Sequence, residues 1–134
     1  MTSVGIEQYG ICRAPAITKI SITEFANRLE ELKAMKSGWL DGEGEALSRE
    51  GMDWLGIFFE NAPEGTLLPC LYPMPEGGVQ AEWPDDVSME IDLARHIGVL
   101  YCSTGEIDEY RLNLDNPDDQ KILFQKLSEI QGMT

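Results

Sequence analysis

Basic residues are scarce in this chain: Lys and Arg number 10 against 24 Asp and Glu, a formal charge of −14. Direct grip on a phosphate backbone needs a basic patch, so this composition argues against nucleic-acid binding. An anionic membrane surface would repel the chain as well. Cysteine is sparse too. Cys12, Cys70 and Cys102 are odd in number, widely spaced and free of any C-x-x-C, which fits a reducing cytosol better than a disulfide framework. No apolar run approaches the ~18 residues of a membrane span. The first residues, Met1 to Glu7, lack the basic and then apolar regions of a signal peptide. A soluble, cytoplasmic protein is the expectation.

Catalytic signatures are also missing. There is no P-loop, G-x-G-x-x-G, G-x-S-x-G or H-E-x-x-H. His96 is the sole histidine. Cys102 follows six residues later, about 20 Å away along a strand at 3.3 Å per residue, so the two cannot touch. Arg95-His96 reads as a turn.

What the chain does contain is alternation. From Leu71 to Leu114, apolar and polar residues take turns in successive runs, as strands with one buried and one wet face require. Leu68–Tyr72 predicts a first strand, kept short or at an edge by Pro69 and Pro73. Pro75-Glu76-Gly77-Gly78 has turn chemistry. Val79–Trp83, Val87–Leu93, Ile97–Ser103 and Tyr110–Leu114 predict the rest of the meander, with turns at Pro84-Asp85-Asp86 and Thr104-Gly105-Glu106.

Helices flank the meander. Ser21-Ile22-Thr23-Glu24 has the form of a capping box, and Ile22, Phe25, Leu29, Leu32 and Met35 make one stripe of a helix reaching about Lys36. Ser48 caps a second, reaching about Asn61, with Met52, Leu55, Phe58 and Phe59 inward and Trp54 on a flank. Gly51 and Gly56 weaken it and predict close packing against another element. Asn116-Pro117-Asp118-Asp119 opens a third, with Leu123, Phe124, Leu127 and Ile130 buried. The fold class is therefore α+β. An antiparallel meander of about five strands (71–114) carries two N-terminal helices and one C-terminal helix on the face of Val79, Trp83, Met89, Ile91, Tyr110 and Leu112. With no repeat and no linker, residues 1–134 make a single domain, of which 1–20 form a loosely ordered arm or short edge strand.

The acidic stretches are the candidate sites. Asp41, Glu43 and Glu45 match the first, third and fifth positions of an EF-hand loop, but Ala46 and Met52 stand where glycine and glutamate are needed. They remain weak metal candidates; no cofactor and no catalytic residue is expected. The wet face of the meander collects Gln80, Glu82, Ser88, Glu90, Asp92, Arg111 and Asn113. With the acidic loop, Asp118 and Asp119 it predicts an extended anionic surface. The partner-binding set is then Glu82, Glu90, Asp92, Asp108, Glu109, Asp118 and Asp119, suited to a basic groove.

Two segments carry a resemblance. Gly38-Trp39-Leu40-Asp41-Gly42-Glu43-Gly44 precedes the helix from Ser48. Tyr72-Pro73-Met74-Pro75-Glu76-Gly77-Gly78-Val79-Gln80-Ala81-Glu82-Trp83 is followed by Glu90-Ile91-Asp92. Together they resemble an uncharacterised group of small bacterial proteins, often on mobile elements, with a W-x-x-x-G loop and a P-x-P-x-G-G-x-Q-x-E-W hairpin. The likeness spans roughly residues 29–93 and brings no catalytic residues with it. It implies that Trp39, Gly77, Gly78, Glu82 and Trp83 form one structural device, with both tryptophans anchoring the loop to the sheet. The function expected is a non-enzymatic binding protein: an acidic inhibitor, antitoxin or immunity-type protein that caps a basic partner such as a nuclease. The alternatives are a small metal-dependent enzyme using the 41–45 loop and a self-associating structural module; a homodimer is open.

Overall fold

The computed structural model describes residues 20–104 and 106–130, the side chains of 103–107 excepted. Helices α1 (Ile22–Lys33) and α2 (Arg49–Glu60) precede strands β1 (Cys70–Pro73), β2 (Val79–Trp83), β3 (Val87–Asp92), β4 (Ile97–Thr104) and β5 (Glu106–Asn113), and α3 (Pro117–Ser128) follows. The strands form one antiparallel sheet in the order β1-β2-β3-β4-β5. This is the expected α+β meander. The N-terminal arm, apart from Ile20, and the Gly105 turn lie outside the described residues.

Local chemistry sets the helix starts. Ser21 accepts from Glu24 N while the Glu24 carboxylate accepts from Ser21 N, at 3.0 and 2.8 Å, so the capping box is formed on both sides. Ser48 Oγ accepts from Gly51 N at 2.9 Å. Asn116 Oδ1 accepts from the amides of Asp118 and Asp119. The first helix ends at Lys33, short of Lys36, with Ala34 as its C-cap.

The core lies between the helices and one sheet face. Leu32, Met52, Leu55, Leu71, Val79, Met89, Leu100, Leu114 and Leu123 are fully buried in it. Gly51 and Gly56 do meet close neighbours: a Cβ on Gly51 would stand 2.7 Å from Leu93 Cβ, and one on Gly56 3.0 Å from Leu29 Cδ1. The stripe on α1 departs from expectation at two positions. Ile22, in the first turn, is 59% exposed, whereas Arg28 is buried. Arg28 Nε donates to the Leu71 carbonyl at 2.9 Å and Nη1 pairs with Glu31. That carbonyl belongs to the outer edge of β1, so an arginine seals it.

The cysteines also depart from expectation. Cys70 is disulfide-bonded, whereas Cys102 is a free buried thiol. Count and spacing say nothing about which cysteines a fold brings together.

Candidate functional site

The register fixes the composition of the face opposite the helices. One row runs Tyr72, Gln80, Glu90, Val99, Arg111; the next runs Glu82, Ser88, Tyr101, Glu109; the third runs Asp92, Ile97, Asn113. The sequence reading of this face holds for Gln80, Glu82, Ser88, Glu90, Asp92, Arg111 and Asn113. It missed β4. Ile97, Val99 and Tyr101 form a half-buried apolar column on β4, between the rows of β3 and the edge strand β5. In β4 the inward positions are Gly98, Leu100 and Cys102, so both faces lack charged residues and alternation vanishes. Register, which places odd residues of β4 opposite Glu90 and Arg111, was the signal that could have found them.

Carboxylates edge this column. Glu82, Glu90, Asp92 and Glu109 face Arg111 as the one base in the three rows. Tyr101 records their nearness: partial desolvation first, then Glu90 and Glu109, push its hydroxyl above the usual tyrosine range. Asp92 is partly committed, since its Oδ1 accepts from the amides of Ala94 and Arg95 at 2.9 and 3.0 Å. Glu82 accepts from Gln80 Nε2 at 2.8 Å.

The other candidates sit elsewhere. Asp108 pairs in register with Cys102, which puts it on the helix side of β5. Asp119 accepts from Asn113 N at 2.8 Å and closes the end of β5. Asp118 is exposed on the first turn of α3. Further carboxylates occupy α1, α2 and the connecting loops, so among the described residues negative charge is not confined to the open face. What sets the open face apart is the apolar column within it.

The acidic loop is a structural connector. Leu40 and Glu43 exchange both backbone hydrogen bonds around Asp41 and Gly42, each at positive φ. Trp39 Nε1 donates to the Glu45 carbonyl at 2.8 Å. Its ring leaves no room beside Gly44, where a Cβ would lie 2.7 Å from Cε2. Glu45 N donates to the Pro75 carbonyl at 2.9 Å, tying the loop to the Gly-Gly turn. Trp39 and the Gly77-Gly78 turn are thus joined through Glu45 in one contact, while glycines at 42 and 44 leave the W-x-x-x-G spacing unmet. Trp83 does not share in it. It lies at the far end of β2, donating to the Leu67 carbonyl and packing beside Phe59.

Where loop and turn meet, a groove of about 420 Å³ opens onto the sheet face, rimmed by Glu45, Glu76, Glu90, Asp92, Arg95 and Arg111. Among the described residues no base pairs with Glu45, Glu76 or Glu90. Nor, among those residues, do three His, Cys, Asp or Glu converge as a metal site would require, and Asp41, Glu43 and Glu45 point to no common centre.

His96 occupies a turn, as Arg95-His96 suggested, with φ of 60°. Its ring stacks on Trp54 at 3.8 Å and its Nδ1 bonds Asp115 at 2.8 Å, joining α2 to two loops. Burial pushes the Cys102 thiol above its ordinary value; Lys126 opposes this, while Asp108 and Glu129 reinforce it. No protein-family model, no curated protein and no solved structure matches this chain.

Proposed function

We propose that this chain is a non-enzymatic binding protein whose open sheet face caps a basic partner protein, in the manner of an inhibitor, antitoxin or immunity protein. One observation carries the reading: a half-buried column of Ile97, Val99 and Tyr101 set among Glu82, Glu90, Asp92 and Glu109. An apolar centre with a charged surround is the anatomy of a protein interface. The carboxylates choose a basic surface and speed encounter with it. Arg111 alone, among four acids, offers nothing to a phosphate backbone, so the partner is a protein rather than a nucleic acid. Among the described residues no helix is long and apolar enough to cross a membrane. A cytoplasmic setting belongs to the proposal on the strength of sparse cysteines; the bonded Cys70 weighs against it. Among the described residues the 41–45 loop supplies no convergent ligands, so the binding role is preferred to a metal-dependent enzyme.

The test compares the wild type with Glu82→Lys/Glu90→Lys as bait in extract of the native host. A basic protein retained by the wild type, released by moderate salt and absent from the variant supports the reading. Equal retention by both, or no salt-sensitive partner, overturns it. Matching thermal melts establish that the variant is folded.

A further inference from the structure

The two edges of the sheet are treated differently. On β1, a strand of four residues, Arg28 occupies the Leu71 carbonyl, Pro69 precedes the pairing and Pro73 ends it. On β5, a strand of eight residues, no proline or bulge interrupts the edge. Leu114 N donates inward to the His96 carbonyl, whereas Asn113 N turns outward to Asp119. Backbone groups alternate in direction along an antiparallel strand, so Glu109 and Arg111 share the outward sense of Asn113. Among the described residues, only the Asn113 amide is closed; those of Glu109 and Arg111 face no strand.

We infer that this edge pairs with the same edge of a second copy, joining two sheets into one of ten strands. The side chains choose the occupant. An antiparallel twofold centred on Tyr110 sets Glu109 of one copy opposite Arg111 of the other, and does so twice. Both residues point to the open face and both present their backbone outward, so the ion pairs and the hydrogen bonds fall in one register. Helix α3 supplies a second feature. Asp119 touches the Asn113 amide, and Lys126 Nζ stands 5.1 Å from the Tyr110 ring centroid. Ile122 lies between them on the same stripe, 39% exposed beside the free edge, where a second copy would cover it. The pairing also makes the two open faces continuous on one side of the sheet.

Sedimentation and light scattering of the full chain, from micromolar to millimolar and at about 0.15 M salt to screen net repulsion, read the result. The mass should climb toward twice the 15.0 kDa of one chain. Glu109→Arg sets arginine against arginine and should raise the dissociation constant about tenfold; Arg111→Glu should do likewise. The double exchange Glu109→Arg/Arg111→Glu should restore association, and so should an equimolar mixture of the two single variants. Amide exchange at Glu109 and Arg111 of the wild type should slow with concentration, a readout that needs no variant. A chain that stays monomeric throughout, a dimer indifferent to both single variants, or amides whose exchange ignores concentration would each overturn the inference. Since Glu82 and Glu90 lie away from this edge, failure here leaves the partner-binding reading standing.

Discussion

Gly51 and Gly56 lie on one helix, yet alanine should affect them oppositely. At Gly51 the new methyl would meet Leu93 Cβ at 2.7 Å and the Leu93 carbonyl at 3.2 Å. Overpacking a tight contact costs about 1–3 kcal/mol, more than the ~1 kcal/mol alanine returns in helix propensity. Gly51→Ala should therefore lower stability by about 1–2 kcal/mol in urea unfolding. At Gly56 the neighbour is only the tip of Leu29, 3.0 Å away and able to rotate. There the propensity gain should win, leaving Gly56→Ala neutral or slightly stabilised. Arg28 and Ile22 make a second contrast. Pattern alone makes isoleucine the core residue and arginine the surface one, but burial reverses them. Arg28→Ala strands the Leu71 carbonyl and should cost about 1–3 kcal/mol, whereas Ile22→Ala should stay within about 0.5 kcal/mol.

At the scale of elements, α1 and α2 are held by charge as well as by packing. Lys33 bridges Glu30 on its own helix and Asp53 on the next. The Lys33 ammonium lowers the Asp53 carboxyl below its ordinary value of 3.8. Asp53 first, then Glu30, raise Lys33 above its ordinary 10.5. A lowered acid contributes stability that is present above its ordinary range and is lost as pH falls through the folded value. A raised base contributes stability that is present below its ordinary range and is lost as pH rises through the folded value. Asp53→Asn should lower the urea midpoint at pH 7, and the gap should close at both extremes. A gap that persists at pH 3 would assign the effect to packing instead. The elements themselves were largely legible. Caps at Ser21, Ser48 and Asn116 act through local hydrogen bonds, and β2 follows strict alternation, so its bounds are those expected. β5 begins earlier than Tyr110 because Glu106 to Glu109 carry no alternation to read, only cross-strand pairing with β4. The apolar column on β4 and the separation of Trp39 from Trp83 depend on register and distance, which a single chain's periodicity does not contain. Asp108, Asp118 and Asp119 were grouped with the open face by charge alone.

For the whole molecule, the formal charge of −14 acts on every equilibrium, though in different directions. Compaction brings like charges together, so neutral salt should raise the thermal midpoint. Going from about 0.01 M to about 1 M NaCl shortens the Debye length from about 30 Å to about 3 Å, enough to screen charges across the fold. Binding of a basic partner should weaken over the same range, because there the long-range force is attractive. Edge pairing is the informative case. Its two Glu109–Arg111 contacts are solvent-exposed and worth little each, whereas two copies of −14 repel along their whole approach. Backbone pairing is insensitive to salt, so screening should remove more repulsion than attraction. Self-association should therefore tighten as partner binding loosens, in one salt titration followed by light scattering and by partner retention. If self-association loosened with salt instead, the ion pairs would be holding the copies together and the backbone edge would not.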